Sequence, residues 1–213
     1  MVRAARAEIA SDTPERILQA ALEVFSERGF EGARTREIAA RARVTLGLLQ
    51  YHYGSKDRLW KASVERAFGT LRSGLESILE SPEPRDERER LRRILRAHVA
   101  FVARHPEFIR LMHDEGKRRG PHMRWLVDRY VKPLFERARP IFERAQAQGI
   151  LPGGIDPAHY LYMMVGAAGM IFHQAEECRR VTGLDPFAPA AVAAHTRAVE
   201  ALFLGNGHPE EVR

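Results

Sequence analysis

The sequence has a single cysteine and lacks several features that define common functional classes. Cys178 stands alone among 213 residues, so no intrachain disulfide can form and nothing calls for an oxidising compartment. The longest apolar run, Tyr160 to Phe172, is shorter than the ~20 residues that a membrane-spanning helix needs. The N-terminal residues have no apolar core of the kind found in a signal peptide. We therefore expect a cytoplasmic protein with no membrane partner.

Catalytic and metal-binding patterns are missing as well. There is no Gly-x-Ser-x-Gly elbow, no phosphate-binding loop and no catalytic cysteine pattern. His98, His113 and His173 fall on or near apolar stretches, but no Cys cluster or paired ligand spacing accompanies them. Hydrogen-bonded core or pocket histidines explain them better than zinc ligands do. The sequence therefore predicts no enzyme activity, no cofactor and no metal site.

The sequence does contain the helix start and stop signals of an all-α protein, and it shows no strand alternation and no internal repeat. Hydroxyl residues that suit N-caps precede four apolar helical stretches, at Thr13-Pro14, Thr35, Thr45 and Ser55. The fourth stretch is long and is expected to end at the turn-rich segment 81–84. Proline and glycine divide the remainder into five helices, about nine in all: near 87–104, 108–117, from 121 onward with bends or breaks at Pro133 and Pro140, 157–178 and 189–205.

Positive charge is concentrated in one short segment. The formal net charge is +6, and residues 33–61 carry seven basic residues against only two acidic ones, Glu37 and Asp57. A basic run can be merely solvated surface. Here it coincides with two short helices joined by a tight break at Arg43-Val44, behind a supporting helix. That arrangement is typical of a helix-turn-helix whose second short helix enters the major groove.

The side chains of the predicted recognition helix suit base contacts. Gln50 can form two hydrogen bonds with an adenine edge, Thr45 can bond a base or phosphate, and Leu48 can touch a thymine methyl. Gly47 permits a close backbone approach. Thr35 with the amides of the second helix, and Lys56 with those of the fourth, can each bind a phosphate.

The stretch RILQAALEVFSERGFEGARTREIAARARVTLGLLQYHYGSKDRLW resembles the N-terminal domain of the TetR family of transcriptional regulators. The resemblance covers about Thr13 to Phe68 and includes Gly29-Phe30, Val44-Thr45-x-Gly47 and Tyr51 to Lys56. It implies a ligand-responsive regulator, usually a repressor, that binds palindromic operator DNA as a homodimer formed by its last two helices. The predicted DNA-facing set is Thr35, Arg36, Thr45, Leu46, Gly47, Leu48, Gln50, Tyr51, His52 and Lys56.

The sequence departs from the family pattern at one position. Arg43 stands where the family usually has glycine in the turn. If the turn requires the left-handed conformation there, a residue with a side chain costs roughly 1–2 kcal/mol. The expected domains are residues 12–56 for DNA binding, with the fourth helix (56–80) as a connector, and 57–205 for ligand binding and dimerisation.

The C-terminal half leaves alternatives open. The apolar run containing Gly166 and Gly169 can be interior core, a dimer face, or both. Aromatic and methionine side chains with helical spacing are often plain core, but together with histidine they also suit an apolar pocket with polar anchors for a small apolar or aromatic effector. The candidate pocket residues are His98, Phe101, Met112, Trp125, Tyr130, Met163 and His173. The rival function is an all-helical small-molecule carrier or enzyme with a vestigial helix-turn-helix.

Overall fold

The computed structural model describes residues 2–79 and 86–205, and the regular elements in those ranges are all helical. This confirms the all-α prediction. Among the described residues no helix is long and apolar enough to cross a membrane. The expected turn at 81–84 lies outside the described residues. The elements are α1 Val2–Gly32, α2 Thr35–Arg41, α3 Leu46–Tyr53, α4 Lys56–Leu79, α5 Glu87–Arg104, α6 Pro106–Gly116, α7 Pro121–Leu126, a π-helical turn Val127–Val131, α8 Lys132–Ala147, α9 Pro157–His173, α10 Ala175–Thr182 and α11 Pro189–Leu204.

Two compact units share the chain. The first contains the residues up to Thr70 together with Glu107–Gly120, and the second contains Leu71–Pro106 together with the residues from Pro121 onward. Helix α4 therefore supplies residues to both units. Helix α6 belongs almost entirely to the first unit, although the helices before and after it in sequence belong to the second.

The core of the first unit is built from α1, α2, α3 and the start of α4. Ile17, Ile38, Leu49 and Trp60 are each at most 2% exposed. Burying one such side chain contributes roughly 1.5–3 kcal/mol, so these few residues fix the short helices α2 and α3 against the longer ones. The ring of Phe68 meets that of Phe108 edge to face at 4.9 Å, which joins α6 to this core.

The core of the second unit centres on α5, which packs against α8, α9 and α11. Its buried residues Leu91, Leu95 and Val102 recur at helical spacing, as the sequence pattern predicts. Helix α9 buries a stripe of residues four apart in sequence: Tyr160, Met164, Ala168 and Phe172. The Asp156 carboxylate accepts a hydrogen bond from the Ala158 amide at 2.7 Å, and Pro157 occupies the first turn, so α9 begins where it was expected.

Helix α1 begins earlier than predicted. It starts at Val2, and Pro14 lies inside it rather than at its first position. Proline removes one backbone donor, but the preceding residues include four Ala and two Arg, which favour helix strongly enough to continue it. Gly29, which the sequence predicts as the residue that closes this helix, does leave the helical conformation, with φ 66° and ψ 172°, but α1 continues beyond it to Gly32.

The seventh and eighth predicted helices are each divided. The amide of Lys132 bonds to the carbonyl of Val127, five residues back, in the π-helical turn just before Pro133. The wider turn makes room for the proline ring, which would otherwise clash with the carbonyl four residues earlier. Pro140 lies within α8 without ending it. The expected helix 157–178 ends at His173, with Gln174 as its C-cap, and α10 follows.

Candidate functional site

The turn between α2 and α3 is held by a strained residue and a side-chain clamp. Arg43 has φ 56°, the left-handed conformation anticipated for this position. The guanidinium of Arg16 donates hydrogen bonds to the carbonyls of Ala42 at 2.9 Å and Arg43 at 3.3 Å. Satisfying those carbonyls stabilises the turn. Because Arg16 belongs to α1, this helix helps to hold the turn that leads into α3.

Helix α3 is capped and anchored at defined points. The hydroxyl oxygen of Thr45 accepts a hydrogen bond from the amide of Leu48 at 3.2 Å, which confirms Thr45 as its N-cap. Leu49 is buried against the other helices of the unit. Gly54, with φ 69°, ends the helix, and Ser55 accepts a hydrogen bond from the amide of Arg58 at 3.2 Å at the start of α4.

The remaining surface of α3 faces away from the core. Tyr51 is 84% exposed and Leu48 37% exposed. The Tyr51 and His52 rings lie edge to face with their centroids 5.5 Å apart. Polar, aromatic and small side chains thus form a continuous uncovered face, whose exposed members are Thr45, Gly47, Leu48, Gln50, Tyr51 and His52, with Leu46 half-buried at its edge.

An open cleft of about 500 Å³ lies between the start of α2, the end of α3 and the start of α4. It brings together four residues of the predicted DNA-facing set: Thr35, Arg36, Gln50 and Lys56. The expectation that Thr35 caps α2 is wrong. Arg34 is the N-cap residue, with extended backbone angles of φ −112° and ψ 131°, and no side chain caps the helix. Thr35 is the first helical residue, so its hydroxyl is not used by the cap.

Lys56 is fixed at the edge of this cleft. Its ammonium donates a hydrogen bond to the carbonyl of Glu31 at 3.2 Å and lies 4.7 Å from the centre of the Phe30 ring. The Phe30 ring in turn stacks on Phe25 at 5.9 Å. The positive charge at the start of α4 is therefore held in place before any ligand arrives.

Ion pairs neutralise some of the basic residues in the segment 33–61. Arg41 is hydrogen-bonded to Glu27 through both of its terminal nitrogens, at 2.6 and 2.8 Å, and this bonding lowers the pKa of Glu27. Lys61 pairs with Asp57 at 2.9 Å. By contrast, no ion pair within the described ranges involves Arg34, Arg36, Arg43 or Arg58. The positive charge available to a polyanion is thus smaller than the composition suggests, and these four guanidinium groups lie around the cleft and the turn.

The second unit contains an apolar cavity of about 60 Å³ between four helices. Its walls are aliphatic and aromatic apart from a single histidine. The lining residues are Leu71 and Leu75 of α4, Ile94 and His98 of α5, Leu134, Ala138, Ile141 and Phe142 of α8, and Leu161, Met164 and Val165 of α9.

His98 is the one polar side chain among the described residues of this wall. It is only 8% exposed, and no atom of the described residues forms a hydrogen bond with its Nε2. Burial lowers the pKa of His98 from 6.5 to about 4, so the imidazole is neutral at pH 7. The described lining of the cavity thus combines one uncharged polar side chain with ten apolar residues.

The structure distributes the seven predicted pocket residues widely. His98 lines the cavity, Phe101 is buried one turn further along α5, and Met112 lies on α6 in the first unit. Met163 is 45% exposed on the outer side of α9, while its neighbour Met164 lines the cavity. Trp125 and Tyr130 contact one another edge to face at 5.4 Å, and His173 ends α9.

Most of the cavity wall was missed by sequence reasoning. Leucine, isoleucine and valine at helical spacing have the pattern of ordinary core, so no signal marks Leu71, Leu134 or Val165 as lining residues. No group of three or more His, Cys, Asp or Glu side chains in the described ranges is placed to hold a metal ion.

Comparisons with known proteins agree with this geometry. The family descriptions "Bacterial regulatory proteins, tetR family" and "Tetracyclin repressor-like, C-terminal domain" match residues 17–62 and 88–202 respectively. The chain is 32% identical over 173 residues to the transcriptional repressor NicS of Pseudomonas putida, covering 76% of each protein. It is 29% identical over 160 residues to the repressor SCO4008 of Streptomyces coelicolor, covering 73% of this chain and 76% of the repressor.

A solved structure has a similar fold over nearly the whole chain. AibR in complex with isovaleryl coenzyme A and operator DNA superposes with a TM-score of 0.71 at 22% identity, over 91% of this chain and 98% of AibR.

Proposed function

We propose that this chain, which belongs to the TetR family and is a ligand-responsive, DNA-binding transcriptional regulator, represses transcription by binding a palindromic operator as a homodimer. The observation that carries this proposal is the exposed, capped helix α3 beside a cleft surrounded by uncommitted arginines. We assign DNA binding to residues 12–56 and effector binding with dimerisation to 57–205. Because its target is chromosomal DNA, we infer that it acts in the cytoplasm.

The outward face of α3 is proposed to read bases. Gln50 is exposed and can bond an adenine edge, while Leu48 and Tyr51 offer apolar contact to thymine methyl groups. The hydroxyl oxygen of Thr45 already accepts the Leu48 amide, so Thr45 has its proton left to donate to DNA. Gly47 has no heavy atom within 4 Å of the position a Cβ would take, which supports a close approach of DNA to the backbone.

The cleft beside α3 is proposed to hold the phosphate backbone. Lys56, fixed over Phe30, offers a preorganised positive charge, and the Thr35 hydroxyl and Arg36 guanidinium line the same cleft. Contacts of this kind set the position of a protein on DNA without reading sequence. We propose that Arg34 and Arg43 add to them, because neither is neutralised by a carboxylate in the described part of the chain.

Dimerisation is supported by large apolar side chains that the monomer leaves uncovered. Tyr162, Met163 and Met170 of α9 and Leu202 of α11 are between 42% and 72% exposed. Gly166 has open space around its Cα, which lets a partner helix approach. A pair of recognition helices must reach successive major grooves about 34 Å apart, and a twofold assembly provides that arrangement.

The effector is proposed to act from the apolar cavity through α4. Leu71 and Leu75 near the end of α4 line the cavity, and Lys56 begins the same continuous helix. AibR, which shares the fold, has been solved with both an acyl-coenzyme A and operator DNA. A ligand that binds one arrangement of α4 more tightly than another shifts the population, and operator affinity changes by the corresponding factor.

Selection of DNA from a random pool tests this function. The expected result is one enriched palindromic sequence, bound with a steep fall in affinity as salt rises, because lysine and arginine displace counterions from several phosphates. The rival function, a carrier or enzyme with a vestigial helix-turn-helix, predicts small-molecule binding without enrichment of any sequence.

The substitution Gln50→Ala on the selected operator tests the recognition helix. Loss of a bidentate base contact should weaken binding by about 1–3 kcal/mol and relax the preference at one base position. Gel-shift titration on the best site and on its single-base variants measures both effects. Gln148→Ala, an exposed glutamine of the second unit, is the matched control and should bind like the parent. Unchanged affinity and specificity in the Gln50 variant would contradict the assignment.

A further inference from the structure

The described wall of the cavity in the second unit is almost entirely apolar. Of the eleven described residues that line it, ten are apolar, and the eleventh, His98, is buried with no partner for Nε2 among those residues. An unsatisfied polar group in an apolar interior costs about 1–3 kcal/mol. A chain that only needed a filled core would be more stable with leucine or phenylalanine there. Because His98 lines the cavity, its unpaired nitrogen is a polar group with which a molecule bound there can pair.

The same wall excludes ionised ligand groups. Among the described residues no Asp, Glu, Lys or Arg lines the cavity, and the imidazole is uncharged at pH 7. A carboxylate or ammonium placed inside would lose its hydration without meeting an opposite charge, which is far more costly than burying a neutral polar group. An aliphatic body, in contrast, gains free energy from every CH₂ that it removes from water.

We propose that this cavity takes a compact, uncharged and mainly apolar molecule whose single hydroxyl or carbonyl group forms a hydrogen bond with Nε2 of His98. This inference rests on the proposed effector site and specifies its ligand class. His98 sets specificity: it distinguishes a molecule with one neutral polar group from a pure hydrocarbon on one side and from an ion on the other.

The size of the cavity links such binding to α4. Its volume of about 60 Å³ is well below the ~150 Å³ of an apolar cavity known to admit benzene. A six-membered ring therefore enters only if the wall moves outward. The unbranched side chain of Met164 can change its rotamer to make some room, whereas Leu71 and Leu75 are residues of α4, and to move them outward α4 has to move. A ligand that enlarges the cavity therefore displaces α4.

Phenol, toluene and benzoate test the ligand class, because the first two are nearly equal in size and differ in the polar group, while benzoate carries a charge. Binding is measured by calorimetry and through the ¹⁵N resonance of the His98 ring. Phenol should bind and shift the Nε2 signal, toluene should bind about tenfold more weakly, as expected for one lost hydrogen bond, and benzoate should not bind.

Variants at position 98 separate recognition from packing. His98→Phe should bind phenol and toluene equally, whereas His98→Gln, which keeps a neutral hydrogen-bonding group, should retain the preference for phenol. Circular dichroism checks that each variant is folded. If His98→Phe does not fold, the Nε2 shift of the parent and the preference of His98→Gln still decide the question.

Three results would overturn the inference: no uncharged probe perturbs the His98 resonance, benzoate binds as tightly as phenol, or His98→Phe keeps the preference for phenol. Operator binding by the parent without any probe is measured in parallel. A chain that binds its operator but excludes all three probes refutes this inference alone. A chain that binds phenol through His98 but binds no DNA refutes the proposed function and leaves the ligand class standing.

Discussion

Arg43 combines backbone strain with an uncommitted charge. Its φ of 56° costs roughly 1–2 kcal/mol for a residue with a Cβ, and glycine would avoid that cost. The Arg16 guanidinium, bonded to the carbonyls on either side of the strained peptide, offsets part of it. The side chain itself is exposed next to the recognition helix. These facts are consistent with an arginine that serves DNA binding at the expense of stability.

Arg43→Gly should therefore stabilise the protein and weaken its binding to DNA. Relief of strain, less the larger entropy that glycine loses on folding, leaves a gain of about 1 kcal/mol in the free energy of unfolding. Loss of one phosphate contact should lower the slope of log affinity against log salt by about one. Urea titration and gel-shift titration at several salt concentrations measure the two quantities. Arg43→Lys is the control, since it keeps both the charge and the strain. A glycine variant with unchanged or lower stability would rule out this account.

His98 makes stability depend on pH over a defined range. Its pKa is about 4 in the folded protein and 6.5 in the unfolded chain, so between these values the unfolded state binds the extra proton. Stability is therefore intact above about pH 6.5 and falls as the pH is lowered towards 4, by about 3 kcal/mol in all. Thermal or urea unfolding at half-unit steps of pH measures the loss.

The His98→Phe variant isolates this contribution from those of the other histidines. The difference in unfolding free energy between the parent and the variant should change across pH 4–6.5 and stay constant above that range. Parallel pH profiles for the two proteins would show that protonation of His98 is not coupled to folding.

At the level of helices and turns, starts marked by a capping residue were predicted well. Thr45, Ser55 and Asp156 begin their helices as expected, because each side chain supplies an acceptor for a backbone amide that has no partner within the helix. The predictions that Thr35 and Thr13 cap helices were wrong, for different reasons. The extended backbone of Arg34 takes the cap position before Thr35, and the helix-favouring residues before Pro14 extend α1 to Val2.

Interruptions inside long helical stretches were harder to place. Pro133 marks a disturbance, but only packing decides between a bend, a break and the π-helical turn that precedes it. The end of α9 at His173, with Gln174 as its C-cap, carries no proline or glycine at all. Its position depends on contacts made far away in sequence, which a local pattern does not contain.

The two functional surfaces differ in how visible they are in the sequence. The exposed face of α3 follows from an ordered motif in which each position has a local role, so Leu49 was expected inside and Gln50 outside. The cavity, in contrast, forms where aliphatic side chains from different helices leave a gap between them, and no local sequence pattern marks those residues. One step along α9 rotates the side chain by about 100°, and this alone exchanges Met163 for Met164 in the wall.

For the molecule as a whole, the uncovered apolar side chains on α9 and α11 make its assembly depend on concentration. Tyr162 of α9 and Leu202 of α11 are 70% and 72% exposed. Exposed apolar surface of this kind marks protein interfaces where it is extensive. Operator binding by two recognition helices then reflects the dimer population as well as the affinity of the dimer for DNA.

Leu202→Glu should separate the protomers. Placing a carboxylate in an apolar interface without a partner should raise the dimer dissociation constant by roughly a hundredfold, equivalent to about 2.7 kcal/mol. Sedimentation equilibrium measures the constant, and operator titration should become steeper and shift to higher protein concentration. Gln148→Glu adds the same charge at an exposed site outside α9 and α11 and should leave the dimer intact. A Leu202 variant with unchanged dissociation would place the interface elsewhere.

The membership of α6 in the first unit limits how the protein can be cut and recombined. A fragment ending at Thr70 would omit Phe108, whose ring packs on Phe68, and Glu107, which accepts a hydrogen bond from Gln19 at 3.3 Å. The first unit is therefore not a single continuous N-terminal segment that could be excised intact. A chimera that grafts it onto a foreign sensor has to carry Glu107–Gly120 as a second insert, or rebuild the apolar surface that those residues cover.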